Sequence, residues 1–351
     1  MRLLSLIIAV IVTTAAFAGE DKNLTNIDPE AIPVGHVKYF RPGAIWPDNK
    51  GVHINAHGGG FLTVKSGANV QKAYWFGEHK IESDAGNVAQ VGVHCYSSSD
   101  LYNWKDEGIA LAVSDDPKSD IVKGCVLERP KIIYNKKTAK YVMWFHLELK
   151  GQGYNAARTG VAVSDKVSGP YKFIESFRPD DQESRDMTVY VDDDDKAYLF
   201  HASENNATLH ISLLTDDYLR PAGKYEHAFE GRFMEAPAVF KRKGKYYLIA
   251  SDCTGWAPNA ARSAVADKIT GPWSELGNPC IGTENECRVT FNSQSTYILP
   301  APGRKDAFIF IADRWRPENA IDGRYIWLPI KFENDRPVIK WLDQWDLEAF
   351  E

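Results

Sequence analysis

KYVMWFH, residues 140–146, is an unbroken run of aromatic and aliphatic side chains, opened by a lysine and preceded by the turn-forming stretch NKKTAK. Residues of this kind fit a pleated, buried strand. The device recurs as KAYWFGE at 72–78, KAYLFHA at 196–202, KYYLIAS at 245–251 and DAFIFIAD at 306–313. Turn signals again stand ahead of three of these, in DDDDK at 192–196, KGK at 243–245 and GRKD at 303–306. Each is what a hairpin entering a core strand requires. Successive copies lie roughly 50 to 70 residues apart, room for a sheet of about four short strands. A second recurrence follows some copies: SSDLYNW at 98–104, SDKVSGPYKF at 164–173 and ADKITGPWSE at 266–275. Its place in the repeat suits an outer strand and its turn. Long amphipathic helical patterns are absent. The expectation is an all-β chain, a five-bladed β-propeller, with residues 19–351 forming one domain.

The first residues read MRLLSLIIAVIVTTAAFAGE. Arg2, a short apolar run from Leu3 to Val12 and the small-x-small pattern Ala16-Phe17-Ala18 predict a signal peptide over 1–18. The run is too short for a bilayer core of roughly 30 Å. The chain is therefore expected to be secreted or periplasmic, with no membrane association after cleavage. A formal net charge of −6 and no basic stripe argue against a nucleic-acid partner. Aromatics are abundant, with 10 Trp and 16 Tyr, but such rings serve both β cores and sugar platforms. There are five cysteines, so at least one is unpaired; Cys280 and Cys287, in NPCIGTENECR, are the pair an oxidising compartment would join. No spacing matches a zinc motif.

Propeller loops converge at one end of the central axis, so a site there takes one or two residues from each blade. Polar residues just ahead of the core strands are the candidates. They are Glu128 in LERPKIIYN, Asp186 in SRDMTVYV, Glu235 in MEAPAVF and Gln294 in FNSQSTY. The first repeat offers NAHGGGFL, with His57, and then Glu78 at the end of its core strand. A carboxylate facing a shared pocket is costly to bury without a purpose. Arg129 and Arg185 have the alternative of pairing with nearby carboxylates inside the ring. Gly58, Gly59 and Gly60 are followed by no Lys-Ser/Thr, so they are not a nucleotide loop; they let the backbone pass close to the axis or to a ligand. The acidic run Asp192 to Asp195 reads as a solvated hairpin tip. Two carboxyl groups flanking a bond are what glycoside cleavage needs, one protonated and one activating water or attacking.

These motifs resemble family 43 glycoside hydrolases, which are inverting five-bladed propellers. EAPAVFKRKGKYYL, 235–248, is similar to the family's Glu-Gly/Ala-Pro motif with its hairpin, which implies that Glu235 is the general acid. RDMTVYVDDDDKAYL, 185–199, is similar to the motif whose Asp orients that acid and raises its pKa, here Asp186. The family's general base is an Asp in the first blade, and NAHGGGFL holds no carboxylate. That departure is shared by the exo-β-1,3-galactanase branch, which the chain resembles further in YWFGE, ERPKIIYN, SRDMT, EAPA, CTGWAPN and FNSQSTY. The branch resemblance puts Gln294 at the base position, with Glu128 lining the same site. It implies sugar contacts from Glu78, Tyr154, Asn206, Thr254 and Trp315; His57 is a further substrate-binding candidate, with a packing or hydrogen-bonding role as its alternative.

The expected function is a secreted glycoside hydrolase, an inverting exo-β-1,3-galactanase acting on arabinogalactan-type galactan as a monomer. An α-L-arabinofuranosidase or β-galactofuranosidase of the same family is the alternative enzyme. The missing Asp base leaves open a catalytically silent sugar-binding propeller. No cofactor is expected, and no metal is indicated.

Overall fold

The computed structural model describes residues 31–66, 70–82 and 85–351. The expected signal peptide and its cleavage site lie outside these residues. The described chain forms five sheets, antiparallel but for one short edge pairing. Blade one is β1 (His57–Ser66), β2 (Val70–Lys80), β3 (Gln90–Ser98) and β4 (Lys105–Ala112). Blade two is β5 (Val126–Asn135), β6 (Lys140–Glu148), β7 (Arg158–Ser164) and β8 (Lys172–Phe177). Blade three is β9 (Met187–Val191), β10 (Ala197–Ser203), β11 (Thr208–Leu214) and β12 (Pro221–Ala228). Blade four is β13 (Glu235–Arg242), β14 (Lys245–Ser251), β15 (Arg262–Ala266) and β16 (Ser274–Gly277). A short β17 (Cys280–Ile281) and the one-turn helix α1 (Glu284–Arg288) lead into blade five, β18 (Gln294–Pro300), β19 (Phe308–Arg314), β20 (Arg324–Glu333) and β21 (Arg336–Lys340). β17 pairs in parallel with the outer edge of β21, so this blade has five strands. The architecture is a five-bladed β-propeller.

Every copy of the recurring run is the second strand of its blade. Its uniform apolarity follows from packing, because both faces of a blade are covered by neighbouring blades. Trp75 of β2 packs with Trp327 of blade five, while the next residue, Phe76, packs with Phe145 of blade two. Trp144 faces Leu199 of blade three, and Phe200 faces Leu248 of blade four. Phe240 and Phe310 join blades four and five. Strand alternation thus sends successive side chains into two different cores. Five cores between five blades make a ring. Segments just before blade one and just after blade five brace the junction of these blades: Phe40 and Trp345 exchange backbone hydrogen bonds at 2.7 and 3.1 Å. Their rings stack into the same cluster as Trp46, Trp75, Trp104 and Trp327.

One expectation needs correcting. Cys280 and Cys287 are free thiols. Cys280 is buried in β17, and the Cys287 thiol donates to the Cys280 carbonyl at 3.2 Å, so the short spacing brings them together without a bond. The acidic run at 192–195 is the expected hairpin tip, with Asp193, Asp194 and Asp195 exposed, and it also carries ion pairs. Asp192 accepts from Lys241 Nζ at 2.7 Å and from the Tyr246 hydroxyl, and Asp195 accepts from Lys136 at 2.5 Å. The hairpin tip is therefore tied to blades two and four. Among the described residues no helix is long and apolar enough to cross a membrane.

Candidate active site

The first strands of the blades start around one axis, and the candidate residues sit at those starts. Glu235 opens β13 and Gln294 opens β18; Asp186 immediately precedes β9, and Glu128 is the third residue of β5. His57 opens β1 at the matching place. Register breaks follow His57, Glu128 and Glu235, the bulges that re-aim a side chain toward an axis. The facing residues on the second strands are polar as well: Glu78 opposite His57, His146 opposite Glu128, Ser251 opposite Glu235 and Asp313 opposite Gln294.

Arg129 ties the group together. Its guanidinium lies 3.0 Å from Asp186, donates to Gln294 Oε1 and gives a 2.9 Å bond to the Ser295 carbonyl. Its backbone N–H donates to Glu78 Oε1 at 3.1 Å. Arg129 thus spans blades two, three and five and is itself buried. Gln294 is held at both ends, because its Nε2 also donates to Ser251 Oγ at 2.8 Å.

Glu235 accepts from Asn206 Nδ2 and from the Cys253 thiol, both at 3.1 Å and both on Oε1. Among the described residues no donor reaches Oε2, so Oε2 is the oxygen available to carry a proton. Burial, with the nearby Asp186 carboxylate, pushes Glu235 up to about 7. Glu128 behaves oppositely. Burial disfavours its charge, but its ion pair with His146 Nδ1, 3.1 Å from Oε2, and the Tyr154 hydroxyl at 2.8 Å on Oε1 hold it down to about 2. His146 is pushed up to about 9, because Glu128 and Glu148 grip its two nitrogens against the effect of burial. The site therefore offers one carboxylic acid that keeps its proton near neutrality and one carboxylate that does not.

The expected sugar contacts divide. Tyr154 and Thr254 are exposed, and Asn206 and Trp315 are half-buried. Trp315 stacks on His57 at 4.5 Å and meets Trp256 edge-on at 5.4 Å. Trp256, Trp315, Asn259 and Gln294 line one pocket. Glu78 and His57 differ from the expectation of sugar contact. Glu78 is fully buried and ion-pairs with the equally buried Lys80 at 2.9 Å, while His57 is covered by Trp315 and by Gly323. Both support the pocket from beneath. The glycines of HGGG do let the backbone crowd the axis: a Cβ on Gly58 would stand 2.4 Å from Glu78 Oε1. The Gly58 carbonyl receives Lys131 Nζ at 2.7 Å.

Arg129 and Arg185 do pair with carboxylates, Asp186 and Glu183, as the sequence allowed; sequence reasoning missed the reach of Arg129 to Gln294, His146 as the partner of Glu128, Cys253 as a donor to Glu235, and Asp313. The last is buried and accepts from Gly58 N at 2.7 Å; burial, opposed by Arg129, pushes it up to about 7. Only Arg129 carried a signal, the Glu-Arg-Pro tripeptide beside Glu128. Glu128, His146 and Asp186 could present ligand atoms to a cation within 4.8 Å of one another. Arg129 and Glu148 already occupy Asp186 and His146, which makes that set a poor cation cradle.

The model of glycosyl hydrolases family 43 matches residues 74–327. The chain belongs to this family. It is a glycoside hydrolase. Among solved structures it is similar to a family 43 β-1,3-galactosidase bound to galactodeoxynojirimycin, with 47% identity, 88% of this chain and 100% of that one covered, and a TM-score of 0.82. It is also similar to the exo-β-1,3-galactanase of Phanerochaete chrysosporium bound to β-1,3-galactotriose, with 37% identity, 90% and 70% coverage, and a TM-score of 0.81. A more distant relative is a β-D-galactofuranosidase of Aspergillus niger, 24% identical over 60% of this chain. The match spans 65% of that relative's length.

Proposed function

We propose that this family 43 hydrolase is a secreted, inverting exo-β-1,3-galactanase that removes galactose from β-1,3-linked galactan of the arabinogalactan type. The observation that carries the reading is the pairing of a protonated Glu235 with an amide, Gln294, fixed between Arg129 and Ser251. The likeness to two solved enzymes named for β-1,3-galactosyl bonds supports the substrate.

In this reading Glu235 gives its proton to the leaving oxygen, and Asp186 keeps that proton in place until it is needed. Gln294 is polarised by Arg129 at its oxygen. That bond requires Oε1 to be an acceptor, so the amide form is favoured over an imidic acid bearing a hydrogen there. One Nε2–H goes to Ser251 and the other is left to hold a water. Gln294 therefore positions the nucleophile, and Glu128, ionised throughout the physiological range, takes the proton that the water loses as its oxygen bonds to the anomeric carbon. Trp315 and Trp256 supply the apolar face for the sugar.

The β-galactofuranosidase reading is favoured by the Aspergillus niger relative. Rates on β-1,3-galactan, an aryl β-galactofuranoside and an aryl α-L-arabinofuranoside, measured side by side, separate the readings. Release of single galactose units from the galactan, at rates well above the furanosides, is the expected result. Preference for either furanoside refutes it, and no turnover of any substrate would leave a sugar-binding propeller.

A further inference from the structure

Blade three carries a row of histidines that the reaction does not use. His201 of β10 pairs directly with His210 of β11, and His210 with His227 of β12. Directly opposed residues of antiparallel strands present their side chains on the same face. The His210 and His227 rings lie 4.5 Å apart, with His201 at 5.4 Å from His210. Glu204, in the turn between β10 and β11, brings Oε1 to 3.4 Å from His210 Nε2, in ion-pair range but without a hydrogen bond. His210 is 1% exposed, yet neither of its ring nitrogens has a hydrogen-bond partner. An imidazole so buried with neither nitrogen hydrogen-bonded is costly, and such groups call for a partner.

The geometry points to a transition-metal site on blade three, in which His210, His227 and Glu204 bind one divalent ion of the zinc class. Their ligand atoms lie within 4.8 Å of one another. Tetrahedral zinc with bonds of roughly 2.0–2.2 Å needs donors roughly 3.3–3.5 Å apart. Glu204 and His227 are both exposed, so rotation of these two side chains closes the gap around the fixed His210. Two imidazoles and one carboxylate suit zinc and its neighbours, whereas calcium and magnesium take oxygen ligands. Glu230 Oε1, 3.6 Å from His227 Nδ1, is placed to orient that ring from the outer side. The remaining position is left to water. The site also touches catalysis through one short turn. Glu204, Asn205 and Asn206 all have left-handed backbones, with φ of 53°, 55° and 69°, and Asn206 is the residue that donates to Glu235. An ion held by Glu204 anchors the turn that presents Asn206 to the acid.

Untagged protein, stripped of metal with a chelator and titrated calorimetrically with zinc chloride, tests the site. One ion per chain is expected. His227→Ala and Glu204→Gln should each weaken binding by about 10-fold or more. His79→Ala, which alters a different histidine pair in blade one, should bind as wild type does. Calcium chloride should give no binding. Zinc should also slow backbone hydrogen exchange across residues 204–210. His210 is left intact because its removal would open the core. Wild-type affinity in His227→Ala, no zinc binding by the wild type, loss of binding in His79→Ala, or unchanged exchange at 204–210 would each overturn the site.

Discussion

Replacing Asp186 with asparagine keeps the shape of the side chain and removes one charge beside Glu235. Burial and that charge together lift Glu235 from 4.5 to about 7. A shift of this size is ~3 kcal/mol of preference for the protonated form. At pH 7 about half of the Glu235 carboxyls then carry a proton, against about one in three hundred at the ordinary value. Burial is the larger cause, so the variant should retain part of the elevation. Arg129 reinforces the change, because it loses its carboxylate partner and its charge then bears more fully on Glu235. The alkaline limb of kcat/KM reports the acid in the free enzyme. It should lie near pH 7 in the wild type and fall by about one unit in Asp186→Asn, remaining above 4.5. The assay is kcat/KM against pH on β-1,3-galactobiose, whose leaving group needs the proton. An unmoved limb, or one displaced upward, would refute the electrostatic link between Asp186 and Glu235.

Glu235→Gln removes the transferable proton and should lower kcat on a galactan oligosaccharide by at least about 10²-fold, with a much smaller loss on an activated aryl glycoside; equal losses on both would count against the acid role. The buried Glu128–His146 pair should shape stability against pH. The lowered Glu128 contributes fully above 4.5 and its share is lost toward about 2, whereas the raised His146 contributes fully below 6.5 and its share is lost toward about 9. Denaturant titrations should therefore find the pair's contribution greatest between these limits. Glu128→Gln should cost about 3 kcal/mol there and flatten the profile; an unchanged profile would contradict the pairing. Because Cys280 and Cys287 are free thiols, a reducing agent should leave Tm unchanged, and a drop of several degrees would reveal a disulfide.

The fold was legible because propeller blades bury both faces of their second strands. A run such as KYVMWFH has no polar side to confuse its reading, and the turn ahead of it marks the hairpin. Glu128, Asp186, Glu235 and Gln294 were legible as a group because each stands at or near the start of a first strand, where the axis is narrowest. Arg129 was legible as a partner for a carboxylate inside the ring, but its tie to Gln294 was not, because pairings across the ring leave no local pattern. Glu78 misled for a related reason. A polar residue ending a core strand reads as a pocket residue, but Lys80, two positions on, turns back to neutralise it beneath the floor. The cysteine pair misled because proximity along the chain says nothing of where the thiols point.

An amide pinned by Arg129 positions the water where the NAHGGGFL stretch of blade one lacks a carboxylate. The most direct test measures kcat on β-1,3-galactotriose and the Kd for galactose in Gln294→Ala. Turnover should fall by at least about 10²-fold while galactose affinity stays within about two-fold of wild type. Near-normal kcat, or affinity falling in step with turnover, would contradict the claim and leave Gln294 as no more than a sugar-binding side chain.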